Sequence, residues 1–253
     1  MAKVISISNQ KGGVGKTTTT CSLAAGLKKR GYRVLAIDID PQGNLGFSVG
    51  ADSETSASIY EVLKGEVKTQ YAIQKTDSMD IIISSILLSG IELEFTNTGR
   101  EFLLKEAIRP VRPFYDYILL DTPPALGILT INAFTVSDLI IVPMLSDIFS
   151  LQGIAQLNET VERVKKYCNP GLSIAGILLT RYNPRTRLSR EVRGTAELIA
   201  DDLHIRVFDS YIRSTVSASE AQSLQRNVFD YDSRSHIAQD YGKFIDELLA
   251  KGV

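Results

Sequence analysis

Apolar residues along this chain follow two alternating rhythms. Short β-branched runs recur over residues 4–8, 34–37, 80–84, 117–120, 139–142 and 174–179. Between them, residues 18–29, 101–108, 154–166 and 189–203 place apolar side chains at a period of about 3.6. The runs are apolar throughout rather than alternating, which predicts strands buried on both faces of a parallel sheet. The expected fold class is therefore α/β, with a mostly parallel central sheet and helices on both faces. Over residues 238–253, preceded by Ile237, apolar positions at Ile237, Tyr241, Phe244, Ile245 and Leu248 predict a final helix packed on that core. Residues 51–99 carry the weakest pattern, with Thr, Ser and Gly scattered among short apolar runs. No Gly/Ser linker or internal repeat divides the chain, so one domain over residues 1–253 is expected.

Composition adds exclusions. The 253 residues are 44% hydrophobic and 23% charged, which sets aside disordered and collagen-like classes. A net charge of −1 argues against a globally basic nucleic-acid binder but leaves room for a local basic patch. Two cysteines, Cys21 and Cys168, are too few and too far apart for a disulfide framework, which points to a reducing compartment. The first residues enter a strand-like run at once, without the apolar stretch of a signal peptide. No apolar run reaches the length of about 18 residues that a membrane span needs. Asp240, Asp246 and Glu247 make the last helix too acidic for seating on anionic lipid. A cytoplasmic protein without membrane attachment is expected.

The chemistry begins at the end of the first strand. Asn9-Gln10-Lys11-Gly12-Gly13-Val14-Gly15-Lys16-Thr17-Thr18 precedes a helical pattern. A strand, a glycine-rich turn and a helix N-terminus present inward-facing backbone N–H groups and a positive dipole end to a phosphate. Lys16 is placed to reach the β- and γ-phosphates of a nucleotide, and the Thr17 hydroxyl to ligate Mg²⁺. The usual pattern has glycine where Gln10 stands, and a second lysine, Lys11, sits near the start of the loop.

Lys-Gly-Gly-Val-Gly-Lys-Thr-Thr at 11–18 resembles the deviant Walker A motif of the ParA/MinD ATPases, whose signature is that first lysine. Asp38-Ile39-Asp40-Pro41-Gln42-Gly43-Asn44 is similar to the ParA segment Asp-x-Asp-Pro-Gln-Gly-Asn. Residues 117–124, Tyr-Ile-Leu-Leu-Asp-Thr-Pro-Pro, read as a Walker B strand ending in Asp121, and the next stretch, Leu126 to Ala133, is also ParA-like. The likeness runs from about residue 3 to 245. It implies a P-loop ATPase fold, with ATP and Mg²⁺ as ligands and Lys11, Gly12, Gly13, Val14, Gly15, Lys16, Thr17 and Thr18 around the nucleotide. Thr17, Asp40 and Asp121 are the expected Mg²⁺ residues. The resemblance assigns hydrolysis to Asp40, which would position the attacking water and join the metal's surroundings, with Asp38 nearby. It also implies that Lys11 reaches the phosphates of the opposite subunit in a nucleotide-sandwich homodimer, so that Lys11, Lys16 and Asp40 form the catalytic set.

Residues 181–193, Arg-Tyr-Asn-Pro-Arg-Thr-Arg-Leu-Ser-Arg-Glu-Val-Arg, hold five arginines against one glutamate. Such a cluster suits phosphate backbones without needing base contacts. Its segment from Pro184 to Leu188 is similar to a ParA stretch whose arginine binds nonspecific double-stranded DNA, which points to Arg185, with Arg187 and Arg190 beside it. A second ParA stretch, Ile-Pro-Arg-Asn-Val-Arg-x-Ser-Glu-Ala, corresponds to residues 212–221. Here Arg213 replaces the proline, and Ser214 and Ser217 replace the arginines, so Arg213 joins the DNA candidates, with Arg226 as the other substitute for the contact at Ser217. Ser150-Leu151-Gln152-Gly153 also departs from the family's Ala-Leu-Glu-Gly.

The function implied is a partition ATPase that dimerises on ATP, rides nucleoid DNA and is reset by a ParB-type partner. Because the first strand starts near Lys3, no N-terminal helix-turn-helix domain is expected. A membrane-cycling, MinD-like regulator of division-site placement is the alternative, opposed by the acidic last helix. An iron–sulfur enzyme with this loop would need paired cysteines at a spacing the chain lacks. A ligase or amidotransferase of the same loop class would need a substrate pocket that the sequence does not identify.

Overall fold

The computed structural model describes residues 1–253, with the side chains of all but Glu92, Ile148 and Phe149. An eight-stranded sheet forms its centre, in the order β3-β4-β2-β5-β1-β6-β7-β8. Its strands are β1 (Lys3–Ile7), β2 (Val34–Asp38), β3 (Gln74–Lys75), β4 (Asp80–Ile82), β5 (Tyr117–Asp121), β6 (Leu139–Leu145), β7 (Ser173–Thr180) and β8 (Val207–Tyr211). Only the two-residue edge strand β3 runs antiparallel to its neighbour. Six of the eight strands fall where the apolar runs predict them; β3 and β8 are additions.

Alternate residues of each inner strand feed two separate cores. In β5, Ile118 and Leu120 pack on one side and Tyr117 and Leu119 on the other. Helices Leu103–Ile108, Ile128–Val136, Ile148–Tyr167 and Arg187–Asp202 cover the first face. Helices Lys16–Lys29 and His236–Ala250 cover the second, and Ile237, Tyr241, Phe244, Ile245 and Leu248 are buried as the last helix's apolar spacing predicts. Such two-sided burial explains why the strands read as unbroken apolar runs. Residues 51–99 contribute β3, β4 and short helices, one of them Ile59–Leu63, which starts in a capping box of Ser58 and Glu61.

Register then sets the position of the chemistry. Asp121 at the end of β5 stands opposite Ile7 of β1 and Asp38 of β2. The glycine-rich loop, Asp38 and Asp121 therefore meet at the carboxyl edge of three adjacent central strands, where open α/β sheets bind ligands.

Candidate nucleotide site

The loop after β1 bends into helix Lys16–Lys29 through two left-handed glycines, Gly13 (φ 72°) and Gly15 (φ 90°). A side chain at either would strain this backbone. The helix has no side-chain N-cap, which leaves its first N–H groups to an anion. Gly12 and Gly13 are exposed, while Val14 is fully buried and anchors the loop from beneath. Its carbonyl accepts the Thr180 hydroxyl at 2.8 Å. Asn9 steadies the entrance, donating to the Pro143 carbonyl at 2.7 Å and accepting the Lys11 N–H at 3.0 Å.

The two lysines of the loop turn in different directions. Lys16 is buried, and its ammonium bridges the loop to the Lys11 carbonyl at 3.2 Å. Burial holds its pKa below the usual lysine range, with Asp121 and Asp40 pulling the other way. The Lys11 ammonium instead reaches Asp147, at 2.8 and 2.7 Å from the two carboxylate oxygens, and lies 3.4 Å from the Ser150 hydroxyl. Asp147 caps helix Ile148–Tyr167 by accepting the Ser150 N–H at 2.9 Å. Burial opposes its ionisation, but the hydrogen bonds from Lys11 and Ser150 prevail and hold its carboxyl below the ordinary range. Ser150, unusual beside the family's alanine, thus completes this cap.

Asp121 accepts the Thr17 hydroxyl at 2.7 Å and the Thr20 hydroxyl at 3.3 Å. Asp38 is wholly buried and accepts the backbone N–H groups of Asp40, Leu45 and Gly46 at 3.1, 2.9 and 3.4 Å. Burial, and the nearness of the two carboxyls to each other, raise the pKa of Asp38; burial likewise raises that of Asp121. Asp40 has a different setting. It is half-buried, its Oδ1 accepts the Gln42 N–H at 3.1 Å, and it lies close enough to Lys16 and Asp121 for their charges to interact. The two acids thus differ: Asp38 organises backbone, and Asp40 lies within charge range of Lys16 and Asp121.

Beside the loop opens a cavity of about 130 Å³, lined in part by Thr18, Arg181, Ile212, Arg213, Thr215 and Tyr241. Arg181 adopts a left-handed φ of 49°, the kind of backbone strain that collects at functional sites. The Thr215 hydroxyl is buried in this region without a hydrogen-bond partner. Apart from Thr18 and Arg213, sequence reasoning names none of these residues as site groups.

The DNA candidates separate in space. Arg185 and Arg187 are exposed at the start of helix Arg187–Asp202, and the Arg187 side chain is 87% exposed while it pairs with Glu191. Arg190 folds back onto the Pro184 and Arg185 carbonyls at 3.0 and 3.2 Å. Arg213 belongs to the cavity wall and is bound to Asp240. Among the described residues, no group of three or more His, Cys, Asp or Glu forms a metal cluster, and no helix is long and apolar enough to cross a membrane.

The family model of an AAA domain matches residues 2–174, a span that holds the loop, Asp38, Asp40 and Asp121. The sporulation initiation inhibitor protein Soj of Bacillus subtilis is 40% identical over 256 residues, covering both chains completely. The chromosome partitioning protein ParA of Caulobacter vibrioides is 39% identical, over 98% of this chain and 94% of that one. This chain belongs to the ParA family of partition ATPases. A solved structure of cobyrinic acid a,c-diamide synthase from Mycobacterium smegmatis, with bound ADP and magnesium, superposes with a TM-score of 0.86. It is 36% identical and covers 98% of this chain and 94% of its own, so the ParA fold here is also the frame of a protein named for another reaction.

Proposed function

We propose that this ParA-family ATPase is an ATP-gated dimer: each subunit binds ATP with Mg²⁺, lends Lys11 to its partner's nucleotide and holds DNA while paired. The observation that carries this reading is the divergence of the two loop lysines. Lys16 lies over its own cradle, whereas the Lys11 ammonium is turned toward Asp147. Lys16 serves the phosphates of its own subunit, and Lys11, half-buried on Asp147 at the start of helix Ile148–Tyr167, is assigned to those of a second subunit.

The residues present fit nucleotide and metal. The glycine-rich amides and Lys16 suit the phosphates, and the unpartnered Thr215 hydroxyl and the cavity beside Thr18 suit the nucleoside end. Thr17 and Asp121 offer hard oxygen donors, which Mg²⁺ prefers while keeping several of its waters. When bound, Mg²⁺ offsets the negative charge of the β- and γ-phosphates and removes the cost of two neighbouring buried carboxyls. Lys16 and the loop N–H groups then stabilise charge that develops on the transferring phosphoryl group. Asp40, half-exposed and within charge range of Lys16 and Asp121, orients the attacking water; Asp38 keeps the 39–46 backbone in place for it.

Exposed Arg185 and Arg187, with Arg190 shaping the turn beneath them, form the surface proposed for the phosphates of double-stranded DNA. A ParB-type protein is the proposed stimulator of hydrolysis, on the strength of the chromosome partitioning relatives, and the proposed location is the nucleoid. All of this sits in the single domain over residues 1–253. The direct test measures phosphate release with and without DNA and a candidate ParB, beside Lys16→Ala and Asp40→Ala. Stimulation by both additions, lost in either variant, supports the reading; turnover that persists in Lys16→Ala contradicts it.

A further inference from the structure

Arg213 does not behave as a surface arginine. Its Nε donates to Asp240 Oδ2 at 2.9 Å and its Nη2 to Oδ1 at 2.7 Å, while its own backbone N–H donates to Oδ2 at 3.0 Å. Asp240 is only 4% exposed and projects from helix His236–Ala250. A carboxylate at that depth is costly unless it is paired, and a single residue supplies both its charge partner and a backbone donor. The forked contact fixes the backbone of residue 213 as well as its side chain.

The backbone on the other side is also tied. Ile212 donates its N–H to the Leu179 carbonyl at 2.8 Å and accepts the Tyr182 N–H at 3.0 Å. The wall that begins at these ties runs on to Thr215, whose buried hydroxyl has no partner. Tyr241, next to Asp240, lines the same cavity and shares a hydrogen bond of 3.0 Å with Thr19 of the phosphate-loop helix. The two ends of the nucleotide site are thereby joined through the last helix. At position 213 the resembled ParA stretch has proline, which fixes its own φ and needs no anchor. Arginine has no such restriction, so the wall requires an external tie, and Asp240 provides it.

We propose that Arg213 is a positioning residue of the nucleotide site: paired with Asp240, it holds residues 212–215 so that the Thr215 hydroxyl can bond the nucleoside end of ATP or ADP. It acts on nucleotide affinity rather than on phosphoryl transfer or DNA. The inference rests on the nucleotide reading given above.

The test compares binding of a fluorescent ADP analogue, steady-state ATP hydrolysis and DNA retention at saturating ATP. Arg213→Ala weakens ADP and raises KM about tenfold, the effect of losing one charge-assisted tie, while kcat and DNA retention match the parent. Arg213→Lys, which keeps the charge, recovers part of that loss. Parent-like ADP affinity in Arg213→Ala overturns the proposal, as does loss of DNA retention with ADP affinity intact. Should Arg213→Ala fail to fold, Thr215→Val decides. This variant is near-isosteric and apart from the ion pair, so weaker ADP binding supports the proposal and unchanged binding overturns it. Lys16→Ala separates the two levels. If that variant binds ADP as the parent does, the nucleotide reading itself fails; if it loses ADP while Arg213→Ala keeps it, only the positioning role fails.

Discussion

Lys11 and Lys16 lie five positions apart on one loop, yet their ammonium groups have separate partners. Lys16 is buried over the cradle, and its removal leaves phosphate charge without its nearest cation. Lys16→Ala is expected to weaken ATP binding about 10²-fold, read by titration with a fluorescent analogue. Asp40→Ala should keep that affinity and lose turnover, because the half-exposed carboxylate holds little of the backbone. Parent-like turnover in Asp40→Ala would move the water-orienting role to another residue. Lys16, Thr17 and Asp121 were legible in the sequence because glycine spacing and strand context mark them. Asp147, Asp240 and Thr215 were not. Lys11 and Asp147 are 136 positions apart, Arg213 and Asp240 are 27 apart, and no local pattern joins them. Nor could spacing tell which of Asp38 and Asp40 organises backbone; that follows from burial, which only the folded chain defines.

Among the elements, helices Lys16–Lys29 and His236–Ala250 pack closely at Gly26. A Cβ on Gly26 would stand 2.2 Å from Ile245 Cδ1 and 3.1 Å from the Phe229 ring. Gly26→Ala is therefore expected to destabilise the fold by about 1–3 kcal/mol despite alanine's better helix propensity. A variant as stable as the parent in urea denaturation would mean that this packing yields. The last helix also secures the edge strand β8. Glu247 accepts N–H groups from Asp209 and Ser210 at 3.0 and 2.8 Å and the Lys251 ammonium at 2.8 Å. Burial opposes its ionisation, but those donors prevail and bring its pKa from the ordinary 4.5 down to about 2. A lowered carboxyl stabilises the fold fully above the unfolded value and loses that contribution as pH falls through the folded one. Glu247→Gln should thus cost about 1–2 kcal/mol at neutral pH, with the gap to the parent closing between about pH 4.5 and 2. A gap that stays constant with pH would exclude the ionic part. Strand β8 escaped the periodicity because, at the sheet's edge, only Phe208 of its five residues is buried. The inner strands were legible because they are apolar on both faces.

At the scale of the molecule, a net charge of −1 hides an uneven surface. Arg185 and Arg187 stand exposed on one turn, while Arg213, which the sequence groups with them, is bound to a buried acid. DNA held by backbone charge should lose affinity steeply with salt and show little sequence preference. In the ATP-bound state, Arg185→Ala/Arg187→Ala is expected to lower the salt slope by roughly two contacts per subunit, measured by fluorescence anisotropy across a salt series. An unchanged slope would place the DNA surface elsewhere.

These scales meet in one claim, that ATP makes a dimer by using Lys11 of each subunit. Analytical ultracentrifugation with ATP and Mg²⁺ tests it on Asp40→Ala, expected to lack turnover, beside Asp40→Ala/Lys11→Ala. The account predicts a stable dimer for the single variant and a nucleotide-bound monomer for the double. A double variant that dimerises with ATP as well as the single one would contradict it.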